Sequence, residues 1–125
     1  AIAMRVAIAH EEARGAMVKD VHTPELARQA GLGDYPGFDL YSKYPDGSER
    51  AIEVKGRAHS GDIDISENEW SVACNHRDKY WLYVVYGCSS ALPKLYLIPD
   101  PFGSLLAKTK SYILKETEIL SIIHD

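Results

Sequence analysis

Apolar and polar positions along the chain alternate between helical and extended periods. From Ile2 to Arg14, Ile2, Val6, Ala9 and Ala13 recur at helical spacing, Glu11, Glu12 and Arg14 crowd the end and Gly15 supplies a stop, so the pattern predicts a first helix. The pattern is already under way at the first residue, with no Ser, Thr, Asp or Asn before it as a cap, as expected of a domain excised from a larger protein. Ala16 to Val21 reads as a short strand, Thr23-Pro24 starts a helix of a turn or two that ends at Gly31, and the segment from Gly31 to Gly37 is a loop. Phe38 to Tyr44 and Glu49 to Gly56 suit strands, and Pro45-Asp46-Gly47 between them makes a hairpin turn in which Gly47 takes positive φ.

Ser66-Glu67-Asn68-Glu69 satisfies the capping-box pattern, and Trp70, Ala73, Cys74 and Arg77 follow on one helical face to about His76. Tyr80 to Gly87 and Leu95 to Ile98 are rich in aromatic and branched residues and predict central strands. Pro101 to Lys108 predicts a short helix, whereas Tyr112 to Ile123 carries too little punctuation to choose helix or strand. No repeat or low-complexity linker interrupts the chain, so one domain of mixed sheet flanked by helices, an α/β fold over residues 1–125, is expected.

Composition narrows this picture. At 125 residues and 46% hydrophobic, the chain is long enough for a core without disulfides or a structural metal. No apolar run approaches the roughly 20 residues of a membrane span and no secretory leader is recognisable, and Cys74 and Cys88 lack metal or redox spacing, so a soluble, cytoplasmic protein with reduced thiols is expected. The net charge of -4 argues against a free-standing DNA-binder, which would carry a basic face.

The hairpin carries the candidate chemistry. With a three-residue loop and a bulge at Gly47, Tyr44 faces Ser48, Leu40 faces Ile52, Asp39 faces Glu53, Phe38 faces Val54 and Gly37 faces Lys55. In that register Phe38, Leu40, Ile52 and Val54 share one face while Asp39, Glu53 and Lys55 share the other. Opposed carboxylates roughly 5 Å apart at Cβ repel unless a cation joins them. A hard ion such as Mg²⁺ or Mn²⁺ would take Asp39, Glu53 and a backbone carbonyl such as that of Val54, keeping its other positions for water and phosphate. Lys55 would orient the attacking water or neutralise developing charge, and Gly37 would leave room for substrate. Glu-x-Lys alone is expected about once by chance in such a composition, and a solvent-facing cross-strand pair explains the same residues.

Gly37-Phe38-Asp39-Leu40, Ile52-Glu53-Val54-Lys55-Gly56, Ile65-Ser66-x-Asn68-Glu69-Trp70 and Tyr80-Trp81-Leu82-Tyr83-Val84-Val85, in that order, resemble the NO VEIN C-terminal type of domain within the PD-(D/E)XK nuclease superfamily, a type often attached to helicase-like or defence proteins. The resemblance, over about residues 2–101, implies a restriction-endonuclease-like core, Asp39 and Glu53 as metal ligands and Lys55 as catalytic lysine. Phe38 stands where the superfamily motif has Pro, and the superfamily's first-helix acidic residue falls on Glu11, on Glu12 or before Ala1.

Other residues have plainer readings. Trp70 reads as a core anchor before a base-stacking ring, Ser66 as a cap, with Asn68 near the site, and Arg57, His59 and Lys43 as a solvated cluster or phosphate contacts. Cys74 and His76 lie on different faces of their helix, and Gly31-x-Gly33 lacks the strand and helix of a dinucleotide loop. The expected function is a Mg²⁺- or Mn²⁺-dependent endonuclease domain acting on DNA, or else RNA, in a restriction, repair or defence protein whose helicase-like or other domains supply much of the grip; a homodimer is compatible. The alternative is an inactive nucleic-acid-binding or helicase-docking module of the same fold.

Overall fold

Five strands pair in one sheet because the hairpin sets the register for the middle of it. The computed structural model describes residues 1–105 and 113–122. Strands β1 (Met17–Asp20), β2 (Leu40–Lys43), β3 (Glu49–Gly56), β5 (Tyr80–Tyr86) and β6 (Lys94–Pro99) form a mixed sheet in the order β1-β2-β3-β5-β6, antiparallel except for the β3–β5 pair. In the turn the Tyr44 N–H donates to the Ser48 carbonyl at 2.8 Å and the Gly47 N–H to the Tyr44 carbonyl at 2.9 Å, with Gly47 at φ +91°. The ladder that follows pairs Lys43 with Glu49 and Leu40 with Ile52, the register expected from the sequence.

Beyond Leu40 that register is not kept. The Asp39 N–H donates at 2.9 Å to the Ile52 carbonyl, the residue already opposite Leu40, so residues 39 and 40 both lie against one residue of β3, as in a bulge. Phe38 therefore joins the core on the opposite face from Leu40, Ile52 and Val54, a correction to the four-residue apolar face. Gly37 turns at φ +85°, and a Cβ there would overlap the side chain of Val72. The role expected for Gly37, space opposite Lys55, gives way to close packing against a helix.

Both faces of the sheet are covered, which is why Leu82, Val84 and Tyr86 can be buried on one side and Tyr83 and Val85 on the other. One side carries α1 (Ile2–Ala13), the other α3 (Glu67–His76) with α4 (Pro101–Leu105) and α5 (Glu116–Leu120). Helix α1 buries Ala3, Ala7 and Glu11, and the predicted stripe is turned outward at Ile2, Ala9 and Ala13. Small residues win because the helix lies close: a Cβ on Gly56 would sit 2.7 Å from the Ala3 Cβ. In α3 the buried residues are Trp70 and Ala73, Trp70 edge-on to Phe102, while Cys74 is exposed and Arg77 ends the helix at φ +50° ahead of the 3-10 turn Arg77–Lys79.

The remaining elements refine the reading. Thr23 caps α2 (Pro24–Gln29), its hydroxyl accepting from the Leu26 N–H at 3.2 Å. β6, expected to be central, is an edge strand paired only with β5 among the described residues. Two-residue strands β4 (Ile63–Asp64) and β7 (Ile113–Leu114) pair separately, so the undecided C-terminal stretch holds a strand and then a helix. The part of the predicted Pro101–Lys108 helix beyond Leu105, together with Tyr112 and Ile123, lies outside the described residues. No helix among the described residues is long and apolar enough to cross a membrane.

Gly37→Ala is expected to cost about 2–4 kcal/mol, from the positive φ and the overlap with Val72 together. Urea unfolding checks this as a lower midpoint at unchanged slope, and a loss under about 0.5 kcal/mol would contradict the packing.

Candidate metal centre at the end of strand β2

The bulge hands the Asp39 side chain a backbone partner. Asp39 Oδ2 accepts from the Val54 N–H at 2.8 Å, while its own carbonyl accepts from the Val21 N–H at 2.8 Å. Val54 thus holds the carboxylate and Val21 the backbone, with one carboxylate oxygen committed. N–H and C=O of one extended residue point the same way, so the Val54 carbonyl also faces the side from which β2 has departed. Asp39 does not stand squarely opposite Glu53 as the register argument required, yet the two carboxyls line one cleft of about 280 Å³ with Ser66, Asn68 and Glu69 at its rim. Lys55, Arg57 and His59 continue past it, whereas Lys43 is at the other end of β2, away from the cleft.

Glu53 is 6% exposed against Ile65, Trp70 and Tyr80. Burial, the Asp39 charge and a hydrogen bond to Glu69 push its carboxyl up to about 10, with Lys55 pulling the other way. The carboxyl of Glu69, which burial would raise, is held below its usual range by hydrogen bonding with Glu53, the Ser66 N–H and Lys55. Lys55 Nζ lies 3.0 Å and 3.1 Å from the Glu69 oxygens and 3.6 Å from Glu53 Oε2. Burial works to lower the ammonium, and the Glu69 hydrogen bond with both carboxyl charges outweighs it, so Lys55 stays charged. Two carboxyl groups, those of Glu69 and Glu53, thus crowd around one ammonium.

Glu69 is the residue that reasoning from sequence missed. As third residue of α3 it closes the capping box, Ser66 Oγ accepting from the Glu69 N–H at 3.0 Å and Glu69 Oε1 from the Ser66 N–H at 2.9 Å. The same carboxylate then reaches Lys55, a contact that the capping role masked.

Neither first-helix candidate reaches this cleft. Glu11 is fully buried elsewhere, accepting from Ser42 Oγ at 2.9 Å, Tyr44 OH at 2.5 Å and Tyr83 OH at 2.6 Å, with Arg50 Nη1 3.7 Å away and itself donating to Tyr83 OH. It ties α1 to three strands. Glu12 is exposed.

The donor set fits a hard divalent ion of modest protein coordination. Among the described residues no three His, Cys, Asp or Glu side chains group to hold a metal by themselves, so the protein's oxygens would be the Asp39 and Glu53 carboxylates and the Val54 carbonyl, with water for the rest. A cation there would offset the burial and the Asp39 charge that push the Glu53 carboxyl up.

The family model described as "Protein NO VEIN, C-terminal" matches residues 1–98, spanning α1 through nearly all of β6 and every residue of the cleft. No curated protein and no solved structure matches the chain.

Without divalent ions Glu53 makes stability fall as pH rises. Its folded value of about 10 stands above the ordinary 4.5, so between those values the unfolded chain gives up a proton that the folded one keeps. Glu53→Gln is expected to flatten the melting temperature between pH 5 and 9 and to stabilise by about 1–3 kcal/mol at pH 8. Thermal melts in EDTA check this; an equal pH slope in both proteins would contradict it.

Proposed function

The chain belongs to the NO VEIN C-terminal family, and we propose that its cleft is the active site of a Mg²⁺- or Mn²⁺-dependent nuclease of PD-(D/E)XK type acting on nucleic-acid phosphodiesters, DNA foremost. The observation that carries this reading is the meeting of Asp39, held on the Val54 N–H, with buried Glu53 and charged Lys55 at one strand end. The order helix, hairpin, third strand, helix and parallel strand supports a restriction-endonuclease-like core, since it is what the four motif blocks imply.

Asp39 and Glu53 would hold the ion with the Val54 carbonyl. Once bound, such an ion polarises a phosphate and lowers the pKa of a bound water. Asp39 presents its uncommitted oxygen in a fixed position because Val54 and Val21 hold its side chain and backbone. Glu53, its carboxyl pushed up by burial, would bind such an ion with release of a proton. Lys55, oriented by Glu69 and 3.6 Å from Glu53, would offer its ammonium to negative charge developing on the phosphate or to an attacking water. Glu69 is thereby a positioning residue.

Replacing Asp39, Glu53 or Lys55 singly with Ala is expected to lower Mg²⁺-dependent cleavage of plasmid and oligonucleotide DNA at least about 100-fold, while the fold by circular dichroism is kept. Glu69→Gln is expected to cost about 10-fold and to shift the pH profile. Unchanged cleavage in all three Ala variants would overturn the assignment and favour a non-catalytic docking or binding module.

A further inference from the structure

The loop before Asp39 holds an aromatic ring in solvent beside the carboxylates. Tyr35 is 84% exposed, and it lines the same cleft as Asp39 and Glu53. At that exposure the ring adds little to the packing of the fold and is available to a ligand in the cleft. Its neighbours Pro36 and Phe38 also line a second cavity, of about 520 Å³, walled by Tyr41 and His76 with Lys79 at its margin. The carboxylate cleft and this cavity therefore have Pro36 and Phe38 as common walls.

That volume falls in the range of about 300–1,000 Å³ typical of small-molecule sites, and its lining is mostly apolar. Apolar walls of this kind suit a base, whereas a cation held by the carboxylates of the neighbouring cleft would suit its phosphate. A base paired in a duplex has both faces stacked and its edge engaged, so it cannot enter. The overall charge of -4 also fits poorly with gripping duplex phosphates, while single-strand binding draws much of its strength from stacking on aromatic rings.

We propose that the cleft takes an unpaired nucleotide, its base stacked on Tyr35 and its phosphate at the Asp39–Glu53 end. This rests on the nuclease reading for the phosphate and extends it to a substrate class, single-stranded or locally unpaired DNA.

Fluorescence anisotropy tests it with a labelled 12-mer DNA strand, its duplex and a 12-mer of abasic residues of equal charge, in Ca²⁺. The single strand is expected to bind at least about 10-fold tighter than either of the others. Tyr35→Ala, at an exposed position, is expected to weaken the single strand about 10-fold and leave the abasic strand unchanged, with Tyr35→Trp restoring the affinity. Equal affinity for strand and duplex, or no effect of Tyr35→Ala on strand binding, would overturn the inference. Cleavage with Mg²⁺ separates the two readings. A strand bound through Tyr35 but never cut removes the nuclease and keeps this site, whereas a duplex cut equally well by Tyr35→Ala removes this site and keeps the nuclease.

Discussion

Pairing between β2 and β3 stops at Leu40 and Ile52, and the candidate site follows from that stop. Had the ladder run on, Asp39 would have been one more residue in a hairpin, its backbone spent on regular partners. Instead Gly37 turns the chain against Val72, Phe38 drops into the core under α3, and the Asp39 side chain supplies the Val54 N–H with the acceptor that the missing strand would have provided. Satisfying an orphaned donor is a general obligation of buried backbone. Here it also fixes a carboxylate beside Glu53.

The second constraint is charge. A carboxyl as buried as that of Glu53, with Asp39 and Glu69 nearby and Lys55 the neighbouring cation, is a poor choice for stability and a good one for binding a cation. Stability is supplied elsewhere, by the two apolar layers and by Glu11, where three hydroxyl donors and Arg50 satisfy a buried carboxylate completely. The contrast between the two buried glutamates separates an anchor from a candidate ligand. Glu11 has a full set of donors, whereas burial and the Asp39 charge push the Glu53 carboxyl up.

Much of this was legible along the chain. Pro45-Asp46-Gly47 fixed the hairpin register to the residue, because a turn type leaves the following pairs no freedom, and the capping box marked the start of α3. What could not be read are effects of packing. The face of α1 was misjudged because an Ala-rich helix offers several equivalent stripes, and only the close approach at Gly56 selects Ala3 and Ala7. Strict alternation was carried one residue too far, through a bulge with no sequence mark of its own, so Phe38 was assigned to the wrong face. Glu69 already had a sufficient local explanation, and β4 and β7 are too short to show a period.

The central claim, that the end of β2 is built for a divalent cation, is tested most directly by calorimetric titration of the protein with Mn²⁺, alongside Asp39→Asn. The account predicts one saturable ion per chain with release of a proton near pH 7, and loss of that binding in the variant. Absence of saturable binding, or equal binding in Asp39→Asn, would contradict it.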